Sequence, residues 1–155
     1  MARLESDACR NRFAAARIAH LATADEGGQP HVVPVTFAVL PDDAAPTGAA
    51  VVVAVDHKPK TTTRLRRLRN LTENPRAALL VDHYEDDWTR LWWVRADADG
   101  AEVRPLAEQD TPAGVRGVSA LDALVAKYPA YAEHQPDGPL LHLPVARWSG
   151  WTAGA

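Results

Sequence analysis

A cluster of cationic side chains near the middle of the chain is the sequence feature with the clearest chemical use. Residues 58–69 carry six positive charges and no negative one, in a chain whose formal net charge is -3. A local positive cluster in an acidic protein indicates one specific anionic partner rather than general affinity for polyanions. The cluster follows the apolar segment 51–55 and precedes Asn74-Pro75. We therefore expect it at the start of a helix, where backbone N–H groups bind phosphate.

The order of residues within this cluster also favours an anion site. Lys58 and Lys60 oppose the positive end of the helix dipole, an arrangement that is unfavourable unless an anion lies between them. The hydroxyl groups of residues 61–63 and the first-turn N–H groups add hydrogen-bond donors. The alternative is a solvated, arginine-rich helix face, which explains each residue equally well when it is taken singly. The cluster as a whole favours the anion site.

Aromatic and titratable residues supply further candidates. The chain has five tryptophans, and Trp92 and Trp93 point to opposite faces of a predicted strand, one toward the core and one toward a ligand or second subunit. Packing remains the simpler interpretation for each tryptophan. Spacings typical of metal sites are missing, so we expect no metal. The one cysteine, Cys9, is expected to be inert because no histidine lies beside it in sequence.

Hydrophobic periodicity predicts the elements that position these residues. The segment 30–39 is expected as one strand, and Pro30 and Pro34 require it to be an edge strand, to be bulged or to expose its backbone. An amphipathic pattern predicts a short helix over 4–16 and a later helix over 111–128. The other predicted elements are strands at 17–24, 51–55, 77–81, 88–94 and 140–148, a short strand ending at Leu106, and the cationic helix.

These elements predict a mainly β (α+β) fold. Six strands with hairpin connections and flanking helices favour a small antiparallel barrel, formed by one domain over residues 1–155. The single cysteine and the lack of a secretory or membrane-spanning segment favour a cytoplasmic protein without a membrane partner. A nucleic-acid partner is disfavoured because the total charge is negative and no second basic patch supports the first.

Three segments, taken in order, carry a resemblance to a known family. They are residues 22–24 with 28–37, residues 67–71 with 74–77, and residues 79–82. The chain resembles the pyridoxamine 5′-phosphate oxidase-like flavoproteins, whose fold is the FMN-binding split β-barrel, six-stranded and antiparallel with flanking helices. A second group of segments is similar to the actinobacterial branch that uses the deazaflavin coenzyme F420. These segments are residues 56–60, 82–84, 87–88 and 91–95.

The resemblance implies a homodimer whose cofactor sites lie between the subunits. Arg67 falls where the family has a phosphate-binding lysine, so the charge is kept while the donor geometry changes. Residues 34–37 and 54–56 would flank the ring system of the cofactor, and Trp88 falls where relatives have a cofactor-contacting tryptophan. The implied cofactor-binding residues are Pro34, Val35, Thr36, Phe37, Ala54, Val55, Asp56, Lys58, Lys60, Thr61, Arg66, Arg67 and Trp88.

The implied activity is that of an F420-dependent oxidoreductase. It would transfer hydride from reduced deazaflavin to an electron-poor small molecule, with the cofactor carrying the chemistry and the protein orienting both partners. An FMN-dependent oxidase or reductase on the same fold is one alternative, and a non-enzymatic flavin- or deazaflavin-binding protein is another. No residue stands out as an obligatory acid; Tyr84 and His57 are the candidate proton donors.

Overall fold

Strands dominate the part of the chain that the structure describes. The computed structural model describes residues 2–55, 62–105 and 119–154, with only the backbone for 62–65. The strands are β1 (Ala2–Arg3), β2 (Ala19–Ala24), β3 (Pro30–Val35), β4 (Phe37–Pro41), β5 (Ala49–Ala54), β6 (Ala77–His83), β7 (Trp92–Ala98), β8 (Glu102–Arg104) and β9 (Leu140–Thr152). The helices are α1 (Ser6–Ala15), α2 (Thr62–Glu73), α3 (Ala120–Lys127) and α4 (Pro129–Glu133), with a 3-10 turn at Trp88–Arg90.

The long strand β9 joins two halves of one antiparallel sheet. The strand order is β3-β2-β6-β7-β9-β5-β4, and β1 and β8 also pair with β9. The first part of β9, through Pro144, pairs with β5, whereas the part from Val145 onward pairs with β7. Because β9 pairs with β5 along its first part and with β7 along its second part, the two halves of the sheet enclose a single interior.

The two end strands of this order meet at Thr36. β3 ends at Val35 and β4 begins at Phe37, so one residue separates the opposite ends of the sheet. Consecutive Cα atoms lie about 3.8 Å apart, so the Cα atoms of Val35 and Phe37 are separated by at most about 7 Å. The sheet must therefore curl until its ends approach each other, which produces the half-barrel.

Local chemistry explains the tightest connections. In the turn between β2 and β3, the Asp25 carboxylate accepts hydrogen bonds from the backbone N–H groups of Gly27 and Gln29, each at 2.9 Å. Gly28 has a φ of 88° there, a conformation that a side chain disfavours. Ser119 begins α3, since its hydroxyl accepts from the backbone N–H of Asp122 at 3.1 Å.

Apolar side chains form two cores, one on each side of the β4–β5 part of the sheet. The main core fills the barrel interior and includes Phe13, Phe37 and Trp148. The ring of Phe13 lies 4.9 Å from that of Phe37 and 5.2 Å from that of Trp148, measured between centroids. The second core lies between α3 and the outer face of β4 and β5, with Leu124 fully buried at its centre.

Helix α1 packs closely on the second part of β9. A Cβ atom placed on Gly150 would lie 2.8 Å from the Cys9 sulfur and 3.2 Å from the backbone oxygen of Trp93. Cys9 is fully buried and its thiol donates weakly to the backbone oxygen of Leu4. Burial raises the pKa of this thiol, so the expectation that Cys9 is chemically inert agrees with its position.

The predicted mainly β, antiparallel split barrel is confirmed, with several differences in detail. The described part of the chain contains nine strands, whereas the predicted barrel has six. The predicted strand 30–39 is divided at Thr36, and the short strand β1 has no predicted counterpart, whereas β8 lies within the predicted short strand that ends at Leu106. The prediction of a strand beginning at Trp88 is wrong: Asp87 caps a 3-10 turn at Trp88, and the strand begins at Trp92. The strand predicted over 77–81 is observed as β6, which continues to His83 and is only half buried.

The late helix differs from the prediction at its C-terminal end. The sequence pattern predicts it over 111–128, whereas α3 ends at Lys127 and Pro129 opens the separate helix α4. A proline disfavours helical conformation in the residue before it, which explains the break at Tyr128. Residues 111–118 of the predicted helix lie outside the described residues. At the N-terminus, the helix predicted over 4–16 is observed as Ser6–Ala15.

Candidate functional site

The joint at Thr36 is held by two tyrosines from the helical pair α3–α4. The Tyr131 hydroxyl hydrogen-bonds to the Thr36 hydroxyl at 2.5 Å. The Tyr128 hydroxyl accepts from the backbone N–H of Phe37 and donates to a carbonyl oxygen, either that of Phe37 or that of Arg17, each at 3.0 Å. The segment that the family resemblance assigns to the cofactor ring is therefore covered on one side by α3 and α4.

Most of the apolar residues predicted beside the cofactor ring lie in the two cores. Val35 and Phe37 belong to the barrel core, and Phe37 is fully buried. Ala54 packs in the second core and Val55 in the first. Phe37 pairs with Val53 across β4 and β5, so the structure does bring the two predicted segments together. Because Val35, Phe37, Ala54 and Val55 are buried in the cores, Pro34 and Thr36 are the accessible members of the set among the described residues.

A buried amine lies against this joint. The Lys127 Nζ atom lies 3.7 Å from the centroid of the Phe37 ring and 5.2 Å from that of Tyr128. It has no hydrogen-bond partner among the described residues. Burial, with a smaller contribution from the Arg17 guanidinium, lowers the pKa of Lys127 to about 8. Contact with the faces of two aromatic rings stabilises such a partly dehydrated cation.

Helix α2 presents the described part of the cationic cluster. Arg66 is exposed, whereas Arg67 is half buried. Leu68 and Leu71 anchor the helix in the barrel core. Four predicted site residues fall outside the described residues, together with the candidate proton donor His57. The four are Asp56, Lys58, Lys60 and Thr61.

Beneath α2 lies a small polar pocket that the sequence patterns did not single out. The Asn70 amide donates to the Thr23 hydroxyl at 3.1 Å, and both side chains are almost fully buried. His31 pairs with Thr23 across β2 and β3. The His31 Nδ1 atom is buried and has no hydrogen-bond partner among the described residues. Burial lowers the pKa of His31, and the guanidinium groups of Arg66 and Arg67 lower it further.

On the other face of the same strands is an open groove of about 510 Å³. Its lining is mostly apolar, and its charged residues are Asp82 on β6 and Arg95 on β7. The Arg95 Nε atom lies 3.1 Å from an Asp97 carboxylate oxygen, while its guanidinium carbon lies 5.9 Å from the centroid of the Trp93 ring. The lining residues are His20, Ala22, Val32, Ala78, Leu79, Leu80, Asp82, Tyr84, Trp93 and Arg95.

Two of the predicted site residues are highly exposed aromatic side chains. Trp88 is 76% exposed and Tyr84 is 64% exposed, and only Tyr84 lines the groove. Asp87 fixes the turn that carries Trp88, since its carboxylate accepts from the backbone N–H and the hydroxyl of Thr89. These two hydrogen bonds lower the pKa of Asp87. No described contact joins Trp88 to the other predicted site residues.

The remaining tryptophans divide as the strand alternation predicts. Trp92 packs on the barrel core, while Trp93 lines the groove. The outer edge of Trp92 stacks on His83 and lies 5.3 Å from the Arg12 guanidinium carbon, measured to the ring centroid. Trp148 is a core residue against Phe13, which agrees with the packing interpretation rather than a ligand pocket.

The described residues contain no group of three or more histidine, cysteine, aspartate or glutamate side chains placed to bind a metal ion. Within the same part of the chain, no helix is long and apolar enough to cross a membrane.

The sequence interpretation missed His31, Tyr128 and Tyr131. A signal for His31 exists, because it occupies an inward position in the alternation with Val33 and Val35, where a polar residue needs a partner. The two tyrosines stand three residues apart, but only the folded chain places them against Thr36 and Phe37. Their role depends on contacts more than 90 residues away in sequence.

Similar folds are found among solved structures. An FAD-binding protein from Mesorhizobium loti is 20% identical, with 96% of this chain and 95% of that chain covered and a TM-score of 0.64. A candidate 5-nitroimidazole antibiotic resistance protein from Bacteroides thetaiotaomicron is 14% identical, with 96% and 86% covered and a TM-score of 0.63. The heme storage protein of Vibrio cholerae is 17% identical, with 93% and 89% covered and a TM-score of 0.58.

At these identities the similarity shows that the fold is shared, but it does not show that a ligand is shared. Among curated proteins, none matches the chain. The family model described as pyridoxamine 5′-phosphate oxidase matches residues 6–152, which is nearly the whole chain. That match includes the Thr36 joint, α2 and the groove. Because the family model covers nearly the whole chain, this protein belongs to the pyridoxamine 5′-phosphate oxidase family.

Proposed function

We propose that this protein is an F420-dependent oxidoreductase that reduces an electron-poor small molecule. The observation that carries the proposal is that the buried Nδ1 atom of His31 has no hydrogen-bond partner among the described residues, while the charges of Arg66 and Arg67 on α2 act on the same ring. Two cations beside an unpaired polar atom are matched by an anion such as the phosphate of a flavin-type cofactor.

The residues present fit a phosphate-bearing cofactor. Arg66 and Arg67 would hold the phosphate, together with Lys58, Lys60 and Thr61 if the cluster acts as a unit. Pro34 and Thr36 would flank the ring system at the joint between β3 and β4, where Tyr131 fixes the Thr36 hydroxyl. When bound, the reduced deazaflavin would supply the hydride. The chain itself would orient the ring and exclude water, with Tyr84 and His57 as candidate proton donors.

A flavin is the second candidate cofactor. A structural neighbour is an FAD-binding protein, and the same cationic end of the barrel would accept the phosphate of FMN. The choice of F420 rests on sequence resemblance in residues 56–60, 82–84, 87–88 and 91–95. The candidate nitroimidazole resistance protein is a neighbour whose name concerns an electron-poor heteroaromatic compound, which agrees with the proposed substrate class.

We also propose that the protein works as a homodimer through the groove face. Val32 is 64% exposed on this face, beside Leu80 and Trp93. Asp82 and Arg95 lie on the same face with opposite charges. A two-fold interface brings identical patches together, so a patch needs complementary groups of its own, which this face has.

The deciding experiment titrates the purified protein with F420, FMN, FAD and heme, following absorbance and fluorescence. We expect saturable F420 binding that is much tighter than binding of the flavins. Oxidation of reduced F420 by quinones, nitroaromatics and enones then tests for turnover. Tight flavin binding with negligible affinity for F420 would overturn the cofactor assignment, and tight binding of heme alone would overturn the proposed enzyme class.

A further inference from the structure

The polar pocket beneath α2 is built around His31. His31 shares the inner face of β3 with Val33 and Val35, whose side chains pack on the barrel core, whereas its neighbour Val32 faces the groove on the other side. Thr23 lies opposite it on β2, and that hydroxyl is occupied by the Asn70 amide. The nearest polar neighbours therefore leave the buried Nδ1 atom of His31 without a hydrogen bond among the described residues.

The described charged groups that act on His31 are both positive. Arg66 and Arg67 are the charged groups that act on the ring, and both lower its pKa in addition to the larger effect of burial. No carboxylate of the described residues acts on it in the opposite direction. An ordinary core histidine has its ring nitrogens satisfied by neighbours, and this one instead has an unpaired nitrogen beside two cations. One anion at this place would pair with all three groups.

We propose that His31 is a third ligand of the phosphate group held by Arg66 and Arg67, and that its ring takes up a proton as the anion binds. The inference rests on the proposed phosphate-bearing cofactor and adds a residue and a pH dependence to that site. The pH dependence follows from linkage, since an anion beside the ring favours the imidazolium form. Affinity is then highest below the pKa of free His31 and falls as the pH rises through the pKa of the bound form.

The test uses sulfate as a probe, because it is a tetrahedral dianion that does not titrate between pH 5 and 9. The six histidines of the intact protein are titrated by NMR in sulfate and in chloride at equal ionic strength, with His31 assigned by triple-resonance spectra of the wild type. We expect sulfate to raise the pKa of His31 by about one unit or more. We also expect sulfate affinity to be severalfold higher at pH 6 than at pH 8, below the roughly tenfold limit that a one-unit shift sets.

Two variants separate His31 from the other histidines. His31→Gln keeps a neutral polar group and is expected to bind sulfate with little change between pH 6 and pH 8. His134→Gln changes an exposed histidine at the end of α4 and is expected to keep the wild-type dependence. The wild-type titration decides the question by itself, so the inference stays testable if His31→Gln fails to fold.

A parallel titration with F420 distinguishes this inference from the proposed function. If F420 binds and His31 responds to neither F420 nor sulfate, the role of His31 is refuted while the proposed function stands. If sulfate raises the pKa of His31 and F420 does not bind, the F420 assignment fails while the role of His31 in anion binding stands. If sulfate leaves the His31 titration unchanged in a protein that does not bind F420, both are refuted.

Discussion

The Tyr128 hydroxyl contacts both backbone polar groups of Phe37. It accepts a hydrogen bond from the Phe37 N–H at 3.0 Å and lies 3.0 Å from the Phe37 carbonyl oxygen. Phe37 is the first residue of β4, directly after the joint that closes the half-barrel. One side chain from the late helical region therefore replaces the ladder partner that the end of a strand lacks.

Replacing Tyr128 with phenylalanine should destabilise the protein. The Phe37 N–H would lose its partner in a partly buried place, which costs about 1–3 kcal/mol. Urea denaturation measures the free energy of unfolding. Tyr84→Phe is the matched control, because Tyr84 is 64% exposed and should change stability by less than about 0.5 kcal/mol. Equal stability of the Tyr128→Phe variant and the wild type would contradict the role assigned to this hydroxyl.

Arg66→Ala should weaken F420 binding by about tenfold or more, since a charge-assisted hydrogen bond to phosphate contributes about 1.5–3 kcal/mol. Arg69→Ala on the same helix removes the same charge from an exposed position and should change the affinity by no more than about twofold. Fluorescence titration at two salt concentrations checks both variants. Similar losses in the two variants would mean that the helix attracts the cofactor only through its net charge.

The stability of the protein should rise with pH in the range above pH 8. Lys127 has a pKa of about 8 in the folded protein, whereas its ordinary pKa is 10.5. Between these values the unfolded chain binds more protons than the folded one, so raising the pH favours folding. Arg17 is the other cation that acts on Lys127. The pKa of Tyr128 is raised, so this group lowers the stability of the folded protein as the pH rises, but only above about pH 10.

The measurement compares wild type with Lys127→Met, which keeps an apolar side chain on the Phe37 ring. Between pH 8 and pH 10 the wild type should gain about 1 kcal/mol relative to the variant, after allowance for solvent screening. Urea unfolding curves at half-unit steps of pH provide this difference. Parallel pH profiles of the two proteins would show that Lys127 keeps an ordinary pKa.

Gly150→Ala should destabilise the contact between α1 and β9. The new Cβ atom would approach the Cys9 sulfur to 2.8 Å, and overpacking of this kind costs about 1–3 kcal/mol. In a double-mutant cycle, Cys9→Ala should recover part of this loss because it removes the sulfur. Gly27→Ala is the control, since its Cβ would meet only an Asp25 oxygen at 3.4 Å. Additive effects of the two changes would exclude the predicted contact.

Val32→Asp should dissociate the proposed homodimer. Val32 is 64% exposed, so a carboxylate there is tolerated in a monomer but would be buried without a partner in an interface. Analytical ultracentrifugation should give twice the monomer mass for the wild type and the monomer mass for the variant. Ala132→Asp adds the same charge to an exposed position on α4 and should leave the dimer intact. A monomeric wild type would refute the proposed interface.

Much of the fold follows from local patterns in the sequence. Alternation in 17–24 and 140–148, the turn at Asp25–Gly28 and the cationic helix all predict elements that the structure contains. Pro30 and Pro34 predict an edge strand, a bulge or exposed backbone, and β3 is an edge strand at the end of the strand order. These features are local because they depend on side-chain periodicity and backbone dihedral preferences. The division of 30–39 at Thr36 does not follow from them, since the alternation of Val33, Val35 and Phe37 continues across it.

The sequence by itself determined the fold class, the family and the charge that the candidate site offers to an anion. Tertiary structure decided which residues share that site. The charges of Arg66 and Arg67 act on His31 because α2 packs on β2, which pairs with β3. Tyr128 and Tyr131 reach Thr36 and Phe37 only because α3 and α4 cover the joint. Such contacts join residues far apart in the chain, and burial fixes them through the whole packed core, which no local pattern records.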